Sequence, residues 1–360
     1  MHLLSISNLR NIQSAQLDPG PRLNILSGLN GSGKTSVLEA IYLLGRGKSF
    51  RSAYSRRIVS HNQASLTVVG KSYSSSGQQN TLGIQINDGR FRAKINSKFE
   101  KKSSALASIL PLLLISPDGD KLIRGSPRQR RRFVDWGLFH VEHEFLGVFQ
   151  RYNRTLQQRN AILRQKKTAL LESWDRQLVD AANLLDRSRR EYIDLMAVQA
   201  KEFMQKLVGI DGIEFKYQPG WPAEKDFAGA LKENIGSDLR MGFTQRGPHR
   251  GDLVMRIAGR TAAEYLSGGQ QKLAACSLLL AQASLFNKRM QENCIILVDD
   301  LPAELDTQHR QLFMDLLYSI GGQLFVTVTD DALLDLSRYP ERKMFHVKQG
   351  SLALEKEDAV

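Results

Sequence analysis

The sequence predicts an α/β fold in which a head of mixed sheets carries a mainly helical inserted lobe. Three observations predict it. A short apolar strand, Arg22-Leu23-Asn24-Ile25-Leu26, runs into a glycine-rich turn and then into a helical stretch, Ser36 to Leu44. A continuously apolar strand, Cys294 to Val298, stops at two adjacent carboxylates, Asp299 and Asp300; such runs are buried on both faces and belong to sheets covered by helices. Residues 142–207 hold almost no Gly or Pro and place apolar residues every three or four positions, the period of a helix.

A chain of 360 residues exceeds the usual single-domain size, so two structural units are expected: a head from 1–123 and 244–360, and a lobe from 124–243. No apolar run reaches the roughly 18 residues of a membrane span. The segment Met1-His2-Leu3-Leu4-Ser5-Ile6-Ser7 lacks the basic stretch and apolar core of a signal peptide and reads as a half-buried first strand, which points to the cytoplasm. The two cysteines, Cys276 and Cys294, lie in apolar surroundings without metal-type spacing and read as small core residues.

In chain order, strands are expected near 3–9, 22–27, 65–71, 81–87, 90–96, 111–115, 252–257, 294–299, 323–328 and 343–348. Lys71 to Asn80, rich in Ser and Gln, reads as a hairpin loop. Within 142–207, Phe145, Phe149, Tyr152, Leu156 and Leu163 mark one helix and Trp174, Leu178, Ala181, Leu185, Tyr192 and Leu195 a second, with a turn at 164–168. Helices of about 23 residues would give an arm of only about 35 Å. His140 and His143, three apart with no third ligand in view, read as surface histidines.

The net charge of +13 is concentrated. Residues 121–190 hold 16 Lys/Arg against 7 Asp/Glu, and residues 46–57 hold 5 basic residues and no acid. These two stretches outweigh the whole excess, so a polyanionic partner is expected, with Arg46, Lys48, Arg51, Arg56 and Arg57, interleaved with Phe50 and Tyr54, and then Arg128 and Arg130 as candidate DNA contacts. Arg130, Arg131 and Arg132 occupy consecutive helical positions and point in different directions, so at least one is expected to pair inside the lobe.

The turn Gly28-Leu29-Asn30-Gly31-Ser32-Gly33-Lys34-Thr35 fits G-x-x-x-x-G-K-[ST] and has the strand before it and the helix after it that the chemistry requires. Its glycines let backbone N–H groups turn around a phosphate above a helix N-terminus. Gly28, Asn30, Gly31, Ser32, Gly33 and Ser36 are expected to surround ATP. Lys34 would reach the β- and γ-phosphates and Thr35 would ligate Mg²⁺. At the end of the apolar strand, Asp299 is expected to hold the Mg²⁺ through water and Asp300 to orient or deprotonate an attacking water. Ser267-Gly268-Gly269-Gln270, opening the helical run Lys272 to Leu285, forms a second anion cup more than 230 residues from Lys34. One P-loop needs one cup, so the second is expected to serve the nucleotide of another subunit.

These elements, with Ala303-Glu304-Leu305-Asp306, resemble the ABC-type ATPases, and the finer details resemble the RecF family of SMC-like DNA-repair ATPases. The matching residues are Leu9-Arg10-Asn11, Leu38-Glu39-Ala40-Ile41, Gly47-Lys48-Ser49-Phe50-Arg51, Ser116-Pro117-Asp118-Gly119, Arg131-Arg132-Phe133-Val134-Asp135-Trp136-Gly137, Arg159-Asn160 and Gly247-Pro248-His249-Arg250. The resemblance implies an ABC-type head that binds ATP and Mg²⁺, dimerises around ATP, binds duplex DNA and single-strand/duplex junctions, and works with RecO and RecR to help RecA onto single strands. Two groups that act on the γ-phosphate in transporter-type ATPases are absent: no Gln occurs from Phe99 to Arg128, and Thr327-Val328-Thr329-Asp330 stands where a His is usual. Asp300 replaces the commoner Glu. Slow hydrolysis, with ATP as a switch, is therefore expected. The rival reading is the ATPase subunit of a membrane transporter, against which stands the long basic insertion between Lys34 and Ser267.

Overall fold

The computed structural model describes residues 1–74, 76–300, 305–330, 332 and 334–354. Its strands are β1 (Leu3–Leu9), β2 (Ile12–Leu17), β3 (Leu23–Ser27), β4 (Ser65–Tyr73), β5 (Gln79–Asn87), β6 (Arg90–Ile95), β7 (Lys98–Glu100), β8 (Leu112–Ile115), β9 (Glu214–Gln218), β10 (Asp252–Ile257), β11 (Arg260–Thr261), β12 (Ile295–Val298), β13 (Gln323–Val328), β14 (Arg342–Lys348) and β15 (Ser351–Leu354). Its helices are α1 (Lys34–Arg46), α2 (Ser103–Ile109), α3 (Lys121–Arg124), α4 (Pro127–Val141), α5 (Phe145–Gln165), α6 (Leu171–Val208), α7 (Phe227–Met241), α8 (Ala262–Tyr265), α9 (Gly268–Met290) and α10 (Thr307–Ile320). The chain divides into two units, one of Met1–Asp118 and the chain from Phe286 onward, the other Gly119–Leu285. Residues 244–285, expected with the head, group with the second unit, because β10 pairs antiparallel with β9 of the lobe.

In the first unit an antiparallel sheet of order β2-β1-β4-β5-β6-β7 lies on one side of α1 and a sheet of order β15-β14-β3-β13-β12-β8 on the other. Strands β14, β3, β13, β12 and β8 are parallel. Parallel register sends the carboxyl ends of β3, β13 and β12 to one edge, where ligands gather in α/β sheets. Helix α1 buries residues around most of its circumference, Val37, Leu38, Ile41 and Leu44 joining the inward side chains Leu4, Ile6, Val68 and Ile84 of the first sheet and Leu26, Leu297 and Phe325 of the second. A helix buried nearly all round needs such cover on both faces. Both cysteines are buried, and burial pushes their thiols up to about 12.

The second unit is helical apart from the small sheet β11-β10-β9. Helices α5 and α6 form the expected pair around the 166–170 connection, with Leu163, Leu171 and Trp174 packed at that end. The arm is longer than the expected helix of about 23 residues: α6 runs 38 residues, about 57 Å at 1.5 Å per residue, because its apolar period continues through Met196, Ala200, Phe203 and Leu207. Arginines hold this unit together. Arg159, fully buried, donates to Asp238 at 2.6 Å, to Asp175 at 2.6 Å and to Thr244 at 2.8 Å. Arg189 grips Asp135 through two bonds of 2.9 and 3.0 Å and donates to the Pro248 carbonyl at 2.7 Å. In the Gly247-Pro248-His249-Arg250 turn, the Tyr152 hydroxyl lies 2.7 Å from His249 Nδ1, and His249 Nε2 lies 3.0 Å from the Thr244 carbonyl. A carbonyl only accepts, so Nε2 carries the proton and Nδ1 accepts from Tyr152.

Two outcomes follow. Arg159→Met leaves Asp238 buried without its cation and should lower stability by about 3–5 kcal/mol, read as a drop in the urea midpoint. Burial lowers the His249 pKa from 6.5 to about 4, so the unfolded chain takes up a proton there before the folded chain does. The stability this neutral ring contributes is whole above the unfolded pKa and declines as pH falls from 6.5 towards 4. His249→Gln should flatten that part of a stability-against-pH profile.

Candidate nucleotide-binding site

The turn between β3 and α1 has the shape its sequence requires. Gly28 sits at φ 145°, and a Cβ there would lie 2.3 Å from the Val347 carbonyl oxygen of the neighbouring β14, so no other residue fits. Gly33 is the N-cap of α1, which has no side-chain cap and no acid in its first turn. Its leading N–H groups are therefore available to an anion, at the positive end of the helix dipole. Lys34, 3% exposed, donates through Nζ to the carbonyls of Gly28 at 2.6 Å and Leu29 at 3.2 Å. Asn11 braces the loop from outside: its Nδ2 donates to the Gly31 and Ser32 carbonyls at 3.1 and 3.0 Å, and Ser36 donates to its Oδ1 at 3.1 Å.

The parallel register brings the acids to this turn. Thr35 Oγ1 donates to Asp299 Oδ1 at 2.8 Å, across 264 residues of sequence. Burial raises the Asp299 pKa; the Thr35 hydrogen bond opposes the shift and the neighbouring Asp300 charge adds to it. A hydroxyl and a destabilised carboxylate form a hard-oxygen pair that suits Mg²⁺, whose charge would relieve both causes. Thr327, fully buried on β13 between the P-loop strand and the acid strand, lies 3.3 Å from Asp299 Oδ1 and 3.2 Å from Asp300 Oδ1, and accepts the Asp300 N–H at 2.7 Å. The position noted for lacking a His thus belongs to a run whose first residue holds both carboxylates. Asp300 has a φ of 45°, a conformation that costs a non-glycine residue energy and turns its side chain out of line with the strand.

A cavity of about 250 Å³ is lined by Asn30, Gly31, Gly33, Lys34, Thr35, Ser36 and Asp300, all expected from the sequence, together with Arg10, Asn11 and Arg51. Arg51, expected on a DNA surface, is thereby placed at the nucleotide pocket. The cause is Glu39, a fully buried carboxylate on α1. It accepts from Arg10 Nε at 2.9 Å and Arg10 Nη2 at 3.0 Å, from Ser49, and lies 3.9 Å from Arg51 Nη1. Glu39 was legible only as part of a motif; its partner Arg10 comes from the turn between β1 and β2.

The other expected residues are dispersed. Lys48, Arg56, Arg57 and Arg128 are exposed and Arg46 is half-buried, with the Arg57 guanidinium 4.6 Å over the Tyr54 ring. Arg130, expected as a DNA contact, is engaged within the second unit: its guanidinium makes two bonds of 2.8 Å to Asp252 and one of 2.7 Å to the Gly125 carbonyl. Arg131 donates to the Gly251 carbonyl at 2.6 Å, which meets the expectation that one of these arginines pairs inside the lobe. In the second unit Ser267 opens α9 as a cap, its N–H bonded to Gln270 Oε1 at 3.0 Å. Gly268 and Gly269 are exposed, and among the described residues a Cβ on either would meet nothing within 4 Å. Ala303 and Glu304 lie outside the described residues. Asp306 caps α10 through the His309 N–H at 3.0 Å. Among the described residues no group of His, Cys, Asp and Glu has the makings of a separate metal centre.

Comparison with known proteins fits this geometry. Residues 1–351 match the family model described as RecF/RecN/SMC N terminal domain. A protein of Pseudomonas paraeruginosa (strain DSM 24068 / PA7), DNA replication and repair protein RecF, is 43% identical over 97% of this chain and 96% of its own length. The chain belongs to the RecF family. The RecF of Pseudomonas syringae pv. syringae (strain B728a) is 41% identical over the same shares of the two chains. The solved structure of the recombination mediator protein RecF-ATP in the RecFOR pathway has a TM-score of 0.85 at 24% identity, covering 98% of this chain and 97% of that one. An SmcHead bound to the C-winged helix domain of ScpA has a TM-score of 0.62 at 15% identity, covering 99% and 98%. Both show the ABC-type head fold. The RecF motifs divide cleanly by role: Arg10, Asn11, Glu39, Ser49 and Arg51 surround the P-loop, while Arg131, Asp135, Arg159 and His249 lock the second unit. A transporter subunit is not favoured by this family match, and among the described residues no helix is long and apolar enough to cross a membrane.

Because Glu39 pairs with both Arg10 and Arg51 at the pocket, Glu39→Gln should weaken ATP binding by about tenfold, about 1.4 kcal/mol, in a fluorescent-nucleotide titration.

Proposed function

We propose that the chain is an ATP-switched DNA-binding protein of recombinational repair. Support comes first from the 2.8 Å contact of Thr35 with Asp299 beside the Lys34 loop, an arrangement suited to a magnesium nucleotide. Lys34 would neutralise the β- and γ-phosphates, the α1 N–H groups would bind the rest of the chain of phosphates, and Thr35 and Asp299 would hold the metal. Asp300 would orient the water. With no Gln or His of the transporter type at the γ-phosphate, hydrolysis is slow and the bound nucleotide serves as a timer.

The exposed Ser267-Gly268-Gly269 supports the second half of the proposal. Among the described residues nothing lies close enough to demand glycine at 268 or 269, so the bare backbone suits close approach by a ligand from outside. Each such cup would close on the ATP held by a partner copy, making an isologous dimer with two nucleotides in its interface. Dimerisation would join the exposed basic groups Lys48, Arg56 and Arg57 of both copies into one surface for duplex DNA and single-strand/duplex junctions. RecO and RecR are the proposed partners in moving RecA onto single strands, in keeping with the names of the relatives and of the RecFOR structures.

Sedimentation with and without ATP, repeated with a gapped duplex, tests this. The parent should dimerise with ATP and bind the duplex more tightly, with affinity falling steeply in salt and depending little on sequence. Lys34→Met should lose nucleotide binding with the fold intact. Ser267→Arg should keep monomeric ATP binding but fail to dimerise; dimerisation and DNA affinity at parent levels would sink the clamp. Asp299→Asn should weaken Mg²⁺-ATP binding, whereas Asp300→Asn should prolong the ATP-bound dimer.

A further inference from the structure

The Gly247-Pro248-His249-Arg250 turn takes no part in the nucleotide chemistry, yet the second unit invests heavily in its shape. Gly247 sits at φ 132°, where a Cβ would lie 2.9 Å from the Tyr152 hydroxyl and 3.0 Å from the Phe227 ring. Its N–H donates to the Gly220 carbonyl at 3.1 Å. Arg189 and Arg131 hold the carbonyls of Pro248 and Gly251, and His249 is tied at both ring nitrogens. All of these bonds tie the turn to the rest of the second unit. What the rigid turn presents outward is a pair of exposed arginines, Arg246 and Arg250.

Those arginines line a cleft of about 660 Å³ with Lys216, Trp221, Phe243 and Gln245, and among the described residues no Asp or Glu lines it. The volume is within the range of about 300–1,000 Å³ usual for small-ligand sites. Trp221 is half-buried, its ring held 4.8 Å from that of Phe227, and the Arg250 guanidinium lies 5.8 Å from the centroid of Phe243. Three cations without a counter-carboxylate call for an anion. Two pre-positioned aromatic rings call for a flat, stackable group beside it. An unpaired nucleotide supplies both, whereas in a duplex the base faces are covered by their neighbours and the double helix is too wide for a cleft of this size.

We infer that this cleft is a binding site for single-stranded DNA, in which a base stacks against Trp221 and Phe243 while Arg246, Arg250 and Lys216 hold the flanking phosphates. The inference rests on the reading of the chain as a DNA-binding protein and adds a strand-specific site within one subunit. The turn is a positioning device: its bonds to the rest of the second unit fix where Arg246 and Arg250 stand. A protein that takes duplex on a composite surface and a single strand in such a cleft would have a basis for preferring a junction.

The test uses the full chain and a ten-residue oligothymidylate in low salt. Stacking on Trp221 should quench tryptophan fluorescence, and Trp221→Phe should remove the quenched component while Trp136 and Trp174 remain. Arg246→Ala, at an exposed position, should weaken oligothymidylate binding about tenfold, and Arg246→Glu more, with blunt-duplex affinity and ATP-driven dimerisation unchanged. Quenching that persists in Trp221→Phe, or parent affinity in Arg246→Glu, would overturn the inference. So would equal quenching by polyglutamate, which would make the cleft a seat for an acidic protein segment, or by thymidine monophosphate or pyrophosphate at the same concentration, which would make it a free-nucleotide site. Loss of ATP-driven dimerisation in the parent with oligothymidylate binding intact would remove the clamp and leave this site standing.

Discussion

The carboxylate of Glu39 is buried in the middle of a helix that two sheets enclose, and a charge so placed must be paired. Arg10 answers it with two hydrogen bonds, and in doing so fixes the turn after β1 so that the next residue, Asn11, reaches the carbonyls of Gly31 and Ser32. On the other side Ser49 and Arg51 are drawn to the same carboxylate. One buried charge thus ties the first strand, the P-loop and the 47–51 segment to α1. The P-loop turn is thus braced through a residue that lies outside it.

How much of this was legible in the sequence depends on the distance over which the signal is written. Strands such as 3–9, 252–257 and 323–328 agree with the expectation residue for residue, because their alternation or continuous apolarity is local. β2 was hidden because Gln13, Ser14 and Gln16 leave only Ile12 and Leu17 buried. β9 places Phe215 and Tyr217 between Glu214, Lys216 and Gln218, a strand pattern with no fully buried position to anchor it. At the site, the P-loop and the Asp299-Asp300 pair were legible because each is a contiguous motif. The pairing of Glu39 with Arg10 and the bridging by Thr327 join elements that only the folded sheet brings together.

The basic excess of 121–190 also reads differently once folded. Arg130, Arg131, Arg159 and Arg189 are bonded to carboxylates or carbonyls inside the second unit. Their charge is structural, because a guanidinium with five donors can fasten several segments at once where the unit has little sheet to do so. Composition therefore overstates the footprint offered to a polyanion, and exposed positions such as Arg128, Arg246 and Arg250 are a better guide to it.

The uncapped start of α1 has a consequence for the chain's energetics. A helix whose first N–H groups lack a side-chain partner is incomplete as a folded element, and an anion seated there finishes its hydrogen bonding. Ligand and fold then share one free-energy ledger: occupancy at a hundred times the dissociation constant adds about 2.7 kcal/mol to global stability. The amides of the P-loop and the first turn of α1 would be the groups whose opening is slowed most. The nucleotide would act here as the helix's missing cap, so the supply of ATP would set how firmly the centre of the head is folded.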